Sequence, residues 1–388
     1  MTKVNCDTIF HIKKDPFMNI DKKGIFRSSF SFEVRADALT DASLPTVFTL
    51  DSLWTGEKAP EIHFQLSDIF DSLTYDFGGK DEYRRNEWRV PPFVDPEAVL
   101  TVSVTVPEGT TLTIRSFGCA SCFVRPVWEG GVRLNAHLGF WGFAPENTMA
   151  AVTYAAACGY PACIVVPKVT KDGVFVCIHD DSVNRTGHDA DGKTAGDEHL
   201  FIRDMTFAEL RTWEFGSFKH KVWKDEKILL LSDFFKLCAR TGMRPMFSTH
   251  PALTREQWLE VRKMLIDCDL LSKLNIKSFD PEVLRLANEV LGTEIEGYTL
   301  DVGPWNNARD TCVEIMDGIG FDKAKSRVGI ELYPAAMTPE RCKMIHDAGY
   351  FASVWDLSHS HAAEFRKFID MGVTEFTDDY NCSYGLNW

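Results

Sequence analysis

Residues 135–151 read NAHLGFWGFAPENTMAA, and this stretch decides how the chain folds. A short apolar run reaches His137 and is followed by a turn rich in glycine and aromatics. Pro145-Glu146-Asn147-Thr148 then reads as a helix start, with AAVTYAAA behind it. The unit is strand, turn, helix, with a titratable residue at the strand's carboxyl end. In a barrel of alternating strands and helices, that end is where chemistry sits. Further on, residues 170–186 (TKDGVFVCIHDDSVNRT) bring a second histidine, His179, to the end of another β-rich run.

Working outward, the same rhythm continues to the end of the chain. Strands are predicted over 132–137, 162–166, 244–249, 275–278, 296–301, 328–333, 351–355 and 374–377. Helices are predicted over 147–157, 232–241, 255–267, 281–290, 308–316, 339–348 and 361–371. Eight strands with intervening helices predict a TIM (β/α)8 barrel over residues 131–388. Thr170 to Gly173 is a turn signal, so 174–179 is expected as the return arm of a hairpin above the second strand. The long excursion 185–228 is expected to cross the same rim as a lid.

Residues 1–130 have a different texture. Segments such as GIFRSSFSFEVRA, TVFTLDSLW, EIHFQLSDIF and VLTVSVTVP alternate apolar and polar residues between Gly, Pro, Asp and Asn clusters. Period-2 alternation without an amphipathic helix predicts an N-terminal β-sandwich, joined to the barrel near residues 126–131. Trp54, Tyr75, Phe77 and Trp88 have two readings, a carbohydrate platform or the sandwich core; the core is favoured.

The chain has 388 residues, 45% hydrophobic and 25% charged, with a formal charge of −14. That balance argues against a partner that presents a phosphate backbone, so no nucleic acid is expected. It leaves room for a small anionic ligand, which feels only the local field. Eleven cysteines sit mostly in apolar runs and read as reduced core thiols. Cys119 and Cys122 lack the second pair that a zinc site needs. No apolar run reaches the roughly 18 residues of a membrane span, and the N-terminus has no apolar signal region. The expected compartment is cytoplasmic.

The motif order resembles that of the glycerophosphodiester phosphodiesterase family. Its pieces stand here as His137-Leu138-Gly139, Ala144 to Thr148, Thr170 to Gly173, and His179-Asp180 with Arg185-Thr186. SFDPEVL (278–284), SVWDL (353–357) and FTDDY (376–380) continue the match. The resemblance implies a hydrolase of lipid metabolism. In that family two histidines act as general acid and base on a phosphodiester, and carboxylates hold a divalent cation. His137 and His179 fall on the histidine positions, and their unperturbed pKa of about 6.5 suits proton transfer near neutrality.

The family's metal-binding Glu-x-Asp falls on Ile164-Val165-Val166, and its later Glu-x-Lys on Ser248-Thr249-His250. Two branched aliphatics cannot coordinate Mg²⁺ or Ca²⁺, so no metal cofactor is expected. Strand alternation places Lys168 on the face of Ile164 and Val166, where its ammonium would meet a phosphate. A solvated rim position is the competing reading of Lys168. His250 is expected to face the same cavity. Asp301, Glu331 and Asp356 sit near the ends of late strands, and Phe140, Trp141, Phe143, Trp305 and Trp355 are expected around the mouth. Three readings stay open: a divergent phosphodiesterase acting on a glycerol- or sugar-linked phosphodiester through His137 and His179; a glycosidase-like enzyme using the late-strand carboxylates, which with His250 also admit a differently placed metal site; and a non-catalytic ligand-binding protein. The expected partner is a small-molecule phosphodiester or a sugar-containing ligand.

Overall fold

The computed structural model describes residues 24–36, 45–71, 74–93, 95, 97–121, 131–250, 253–303, 308–355 and 362–379. The chain divides into two compact units. One comprises residues 1–124 with 358–367 and 380–388, and the other 125–357 with 368–379.

In the first unit, nine short strands form in chain order. They are β1 (Ile25–Phe26), β2 (Phe30–Arg35), β3 (Thr46–Thr55), β4 (Glu61–Leu66), β5 (Phe70–Asp71), β6 (Tyr75–Asp76), β7 (Arg84–Val90), β8 (Val99–Thr105) and β9 (Thr111–Ser121). Two antiparallel sheets result, ordered β1-β9-β3-β7 and β2-β8-β4-β5, with β6 against β4. The alternation in the sequence becomes alternation of burial. Along β3, Phe48, Leu50 and Trp54 point inward, as do Ile62, Phe64 and Leu66 along β4. The faces meet through Phe48–Phe64 (ring centroids 5.3 Å) and Phe64–Trp88 (6.3 Å), which makes the unit a β-sandwich. Trp54, Tyr75, Phe77 and Trp88 are all buried, and the Trp54 indole N–H donates to the Phe77 carbonyl at 3.0 Å. They fill the core rather than form a platform.

The second unit is a closed parallel barrel. Its strands are β10 (Arg133–Ala136) and β11 (Ala162–Val165), then, after a side sheet of β12 (Pro167–Val169), β13 (Phe175–Cys177) and β14 (Leu229–Leu230), β15 (Arg244–Ser248), β16 (Asn275–Ser278), β17 (Gly297–Val302), β18 (Arg327–Leu332), β19 (Phe351–Val354) and β20 (Glu375–Asp378). β20 closes onto β10 with Arg133 opposite Glu375. These strands are buried along nearly their whole length, as expected where helices cover one side and side chains fill the other. The helices between them are α1 (Met149–Ala157), α2 (Phe207–Leu210), α3 (Leu231–Thr241), α4 (Arg255–Asp267), α5 (Pro281–Leu291), α6 (Cys312–Ile319), α7 (Pro339–Asp347) and α8 (Ala362–Met371). Their starts follow local chemistry: Asp280 caps α5 with Pro281 in the first turn, and Thr254 and Gln257 form a capping box on α4.

The TIM barrel and the preceding sandwich match the expected architecture. α6 begins later than expected, because residues 308–310 form a separate 3₁₀ turn. The β12–β13 hairpin is present and β14 adds a third strand to it. The excursion after it is a packed body, with Val183, Ile202, Leu210 and Phe215 forming a buried cluster with Val176 and Ile178 of the hairpin and Ile228. Cys158, Cys163, Cys177, Cys238, Cys312 and Cys342 are buried and not joined in disulfides. Most of the junction 126–131 lies outside the described residues, as do Cys122, Trp305 and Asp356. Among the described residues, no helix is long and apolar enough to cross a membrane.

The meeting of Phe64 and Trp88 sets the stability of the sandwich. Trp88→Ala should cost about 3–5 kcal/mol, as large-to-small core substitutions do. Chemical denaturation followed by circular dichroism would register this as an earlier loss of β signal, and an unchanged midpoint would refute the packing role.

Candidate active site

At the carboxyl end of β10 the chain turns sharply. Leu138 (φ +53°) and Gly139 (φ +86°) are both left-handed. A Cβ on Gly139 would lie 2.5 Å from the Ala151 Cβ, so only glycine fits there. Leu138 bears its conformation at a cost of roughly 1–2 kcal/mol, typical of strain held at functional turns. Asn147 staples the loop: its N–H donates to the Leu138 carbonyl at 2.8 Å, and its Oδ1 accepts the Val166 N–H at 3.0 Å. Thr148 then caps α1 by accepting the Ala151 N–H at 3.2 Å.

The turn presents His137. Its main-chain N–H donates to the Asp378 carbonyl at 3.1 Å, and its Nδ1 lies 2.8 Å from Asp379 Oδ1. Carboxylates only accept, so Nδ1 carries the proton that bonds Asp379, and Nε2 takes no part in that bond. The His137 side chain is 23% exposed, whereas that of Asp379 is 3% exposed. Burial on its own would lower the His137 pKa. The Asp379 carboxylate, by charge and hydrogen bond, more than reverses this and raises it above 6.5, with Lys277 opposing and Glu331 assisting. Trp141 stands edge-on to the imidazole at 6.3 Å.

The second histidine comes from the hairpin. His179 is 54% exposed, and its Nδ1 lies 2.7 Å from Asp180 Oδ1. Arg185 donates Nε to Asp180 Oδ2 at 2.7 Å and forks onto both Glu146 oxygens at 2.6 and 3.0 Å. The Pro-Glu-Asn-Thr loop is thereby tied to the hairpin. Burial would raise the Asp180 pKa, but the bonds from His179 and Arg185 hold it well below the carboxylate range. Glu146 and Asp180 likewise hold Arg185 above its ordinary value against the effect of burial.

Lys168 lies on the hairpin strand β12, beyond the barrel strand β11. The barrel strand stops at Val165, and 167–169 pair with 175–177 instead of with the barrel neighbour. The Lys168 ammonium binds Asp181 Oδ1 at 2.5 Å and the His250 carbonyl, and burial lowers its pKa. The His250 residue is exposed, and in the described contacts its carbonyl, not its imidazole, is what meets Lys168.

Two of the late-strand carboxylates, Asp301 and Glu331, converge inside the barrel on a residue not singled out in the sequence, Lys277 of β16. Its ammonium contacts Asp301 Oδ2 of β17 at 3.1 Å and Glu331 Oε2 of β18. Glu331 Oε1 also accepts the Ser353 and Thr377 hydroxyls, each at 2.8 Å. All three ionisable side chains are 4% exposed or less. Burial would lower the Lys277 pKa, but the two carboxylates raise it, so the ammonium stays charged. Burial pushes Asp301 well above the carboxylate range. Lys277 also lies 5.7 Å from the ring centroid of Trp355.

The positions that the resemblance assigns to a divalent cation do not fit one. Ile164 packs with Ala162 and Met246 in a buried apolar cluster, and Val166 is buried as well. Ser248 adds one hydroxyl, where Mg²⁺ or Ca²⁺ wants six or more oxygens. Among the described residues, no three of His, Cys, Asp and Glu gather as a metal-binding set.

The excursion reaches back to this rim. A Cβ on Gly216 would fall 1.8 Å from the Trp223 carbonyl, so the loop closes tightly on itself. Trp223 packs edge-on against Phe143 (5.6 Å) and Tyr154 (5.7 Å), clamping residues 216–223 to the turn after β10. Lys219 in that loop donates to the Trp141 carbonyl at 2.7 Å, with its ammonium 5.2 Å from the Trp141 ring centroid. Burial lowers its pKa, while the fields of Asp379 and Glu146 partly offset this. Lys219 thus lies within the fields of the carboxylate that pairs with His137 and of the one that anchors Arg185. Asp379, Glu146, Lys277 and Lys219 were not singled out by the sequence. The second Asp of FTDDY, the Glu of PENT and an ionisable residue within the strand NIKS were available signals; Lys219 had none.

The glycerophosphoryl diester phosphodiesterase family model matches residues 137–380. A glycerophosphodiester phosphodiesterase of Bacillus altitudinis is 31% identical over 177 residues, 44% of this chain and 67% of that protein. A Bacillus subtilis relative is 34% identical over 101 residues, 26% of this chain and 38% of its own, so the match spans well under half of that protein. Among solved structures, an Oleispira antarctica phosphodiesterase superposes with TM-score 0.53 at 22% identity, covering 65% of this chain and 94% of that one. A glycerophosphodiester phosphodiesterase from Agrobacterium tumefaciens gives 0.53 at 16% identity, with 66% and 99% covered. At these identities the superpositions speak to the fold.

The pairing of His137 with Asp379 has a measurable consequence. Asp379→Asn should leave burial as the dominant influence and drop the His137 pKa, read by NMR titration of the imidazole. Because the folded pKa is raised, the linked stability is full below the unfolded value of about 6.5 and fades as pH climbs through the folded one. The stability gap between wild type and variant should therefore be widest at acid pH. A His137 pKa that stays in place would refute the assignment.

Proposed function

Because the chain belongs to the glycerophosphoryl diester phosphodiesterase family, we propose that it hydrolyses a glycerol- or sugar-linked phosphodiester with His137 and His179 as acid and base and without a divalent cation. The observation that carries this reading is that each imidazole has its Nδ1 beside a carboxylate, leaving Nε2 for the substrate. His137, kept protonated by Asp379, gives its proton to the leaving alkoxide oxygen as the P–O bond breaks. His179 takes the proton of the water whose oxygen forms the new P–O bond. The reaction yields a phosphomonoester and an alcohol. The Oleispira antarctica phosphodiesterase was solved with the product sn-glycerol-3-phosphate, which supports a glycerol ester as the first substrate to try.

Without a cation, the phosphate charge has to be met by fixed N–H donors and ammonium groups around the rim. Lys168 belongs to this set, although Asp181 offsets its charge. Asp301 and Glu331 are drawn onto Lys277 inside the barrel, an arrangement that favours a supporting role over acid/base work on a glycoside.

His137→Ala and His179→Ala should each lower turnover of a glycerophosphodiester by about 10²–10⁴-fold while circular dichroism stays unchanged. If both variants remain fully active and Glu331→Gln is dead, the chemistry belongs to the barrel interior instead. Activity is also expected to survive a chelator, with no stoichiometric Mg²⁺ or Ca²⁺ in elemental analysis of the purified protein. Loss of activity on chelation that Mg²⁺ restores would overturn the metal-free reading.

A further inference from the structure

We propose that Lys219, carried by the excursion after the hairpin, is the cation that binds the phosphoryl oxygens of the substrate. The inference rests on the phosphodiester reading above and names the group that takes on the anion's charge. Three lysines stand near the site, Lys168 and Lys277 buried and Lys219 half-buried, and their partners separate them. Lys168 is joined to Asp181, and Lys277 is held between Asp301 and Glu331. Among the described residues, Lys219 pairs with no carboxylate; its contacts are the Trp141 carbonyl at 2.7 Å and the Trp141 ring at 5.2 Å. An ammonium has three N–H donors, so one is used and two are left for a ligand.

Its position supports the same conclusion. Trp141 lies between the two groups, edge-on to His137 at 6.3 Å and beneath the Lys219 ammonium. The fields of Asp379 and Glu146 both reach Lys219. Its loop is fixed by the Gly216 closure and by Trp223 against Phe143 and Tyr154, so the charge is held in advance of ligand arrival. A fixed, partly desolvated ammonium binds an anion better than a mobile one on a solvated chain, because it is not reorganised on binding.

Binding of inorganic phosphate and of sn-glycerol 3-phosphate would be measured by calorimetry on the full chain, beside KM and kcat for a glycerophosphodiester. Lys219→Gln is the informative variant, since the amide can still donate to the Trp141 carbonyl but carries no charge. It should weaken both ligands and raise KM by about tenfold or more, the usual scale for a charge-assisted hydrogen bond. Lys219→Arg should restore most of the binding, and Lys224→Gln, an exposed charge on the same loop, should change neither. Wild-type phosphate affinity in Lys219→Gln would overturn the inference while leaving the histidine chemistry intact if His137→Ala is still inactive. An equal loss in Lys224→Gln would also overturn it, by showing a long-range charge effect. A wild-type protein that binds neither ligand and cleaves no diester would remove this inference and the phosphodiester reading together.

Discussion

The ammonium of Lys277, buried between Asp301 and Glu331, is the constraint around which the barrel interior is arranged. A charge withdrawn from water is tolerated only when it is paired and its partners are hydrogen-bonded, and stranding one partner of such a set costs about 3–5 kcal/mol. That requirement reaches five strands. β16 supplies the lysine, β17 and β18 the carboxylates, and β19 and β20 the hydroxyls of Ser353 and Thr377 that hold Glu331. A second ionic layer lies among the inward residues nearer the strand starts. There Arg133 and Arg244 share Glu296, while Arg327 and Asn135 share Glu375. The interior is therefore held by directional pairs as well as by apolar packing, and the field that His137 experiences is part of the fold.

The rim follows a different logic. Each imidazole is oriented by a carboxylate: that of His137 by Asp379, just past the strand that closes the barrel, and that of His179 by its sequence neighbour Asp180. Arg185 links Asp180 to Glu146, and Trp223 locks the excursion onto the turn after β10. His137, Arg185 and the excursion are thus positioned by long-range contacts, whereas His179 is oriented locally.

That difference governs how much could be read from the chain. Strand and helix positions in the barrel were legible because buried parallel strands and amphipathic helices leave periodic traces, and Asp280-Pro281 or Thr254-Gln257 mark helix starts locally. The turn at Gly139 and the hairpin turn at Gly173 were legible for similar reasons. The surroundings of Lys168 were not legible from alternation, because beyond Val165 the chain leaves the barrel and pairs with its own return arm. Lys277 was passed over because Asn-Ile-Lys-Ser looks like a short strand with a solvated lysine; only the register with β17 and β18 turns it inward. Lys219 sits among several lysines in a loop, and no local pattern distinguishes the one that folds back.

The excursion has a hydrophobic cluster shared with the hairpin, and β14 returns it to the sheet edge before α3 begins. Its tip can therefore change in sequence and length while the eight barrel strands keep their register. The barrel's register and the excursion's shape are thus separate demands on the sequence, and a change made in one leaves the other standing.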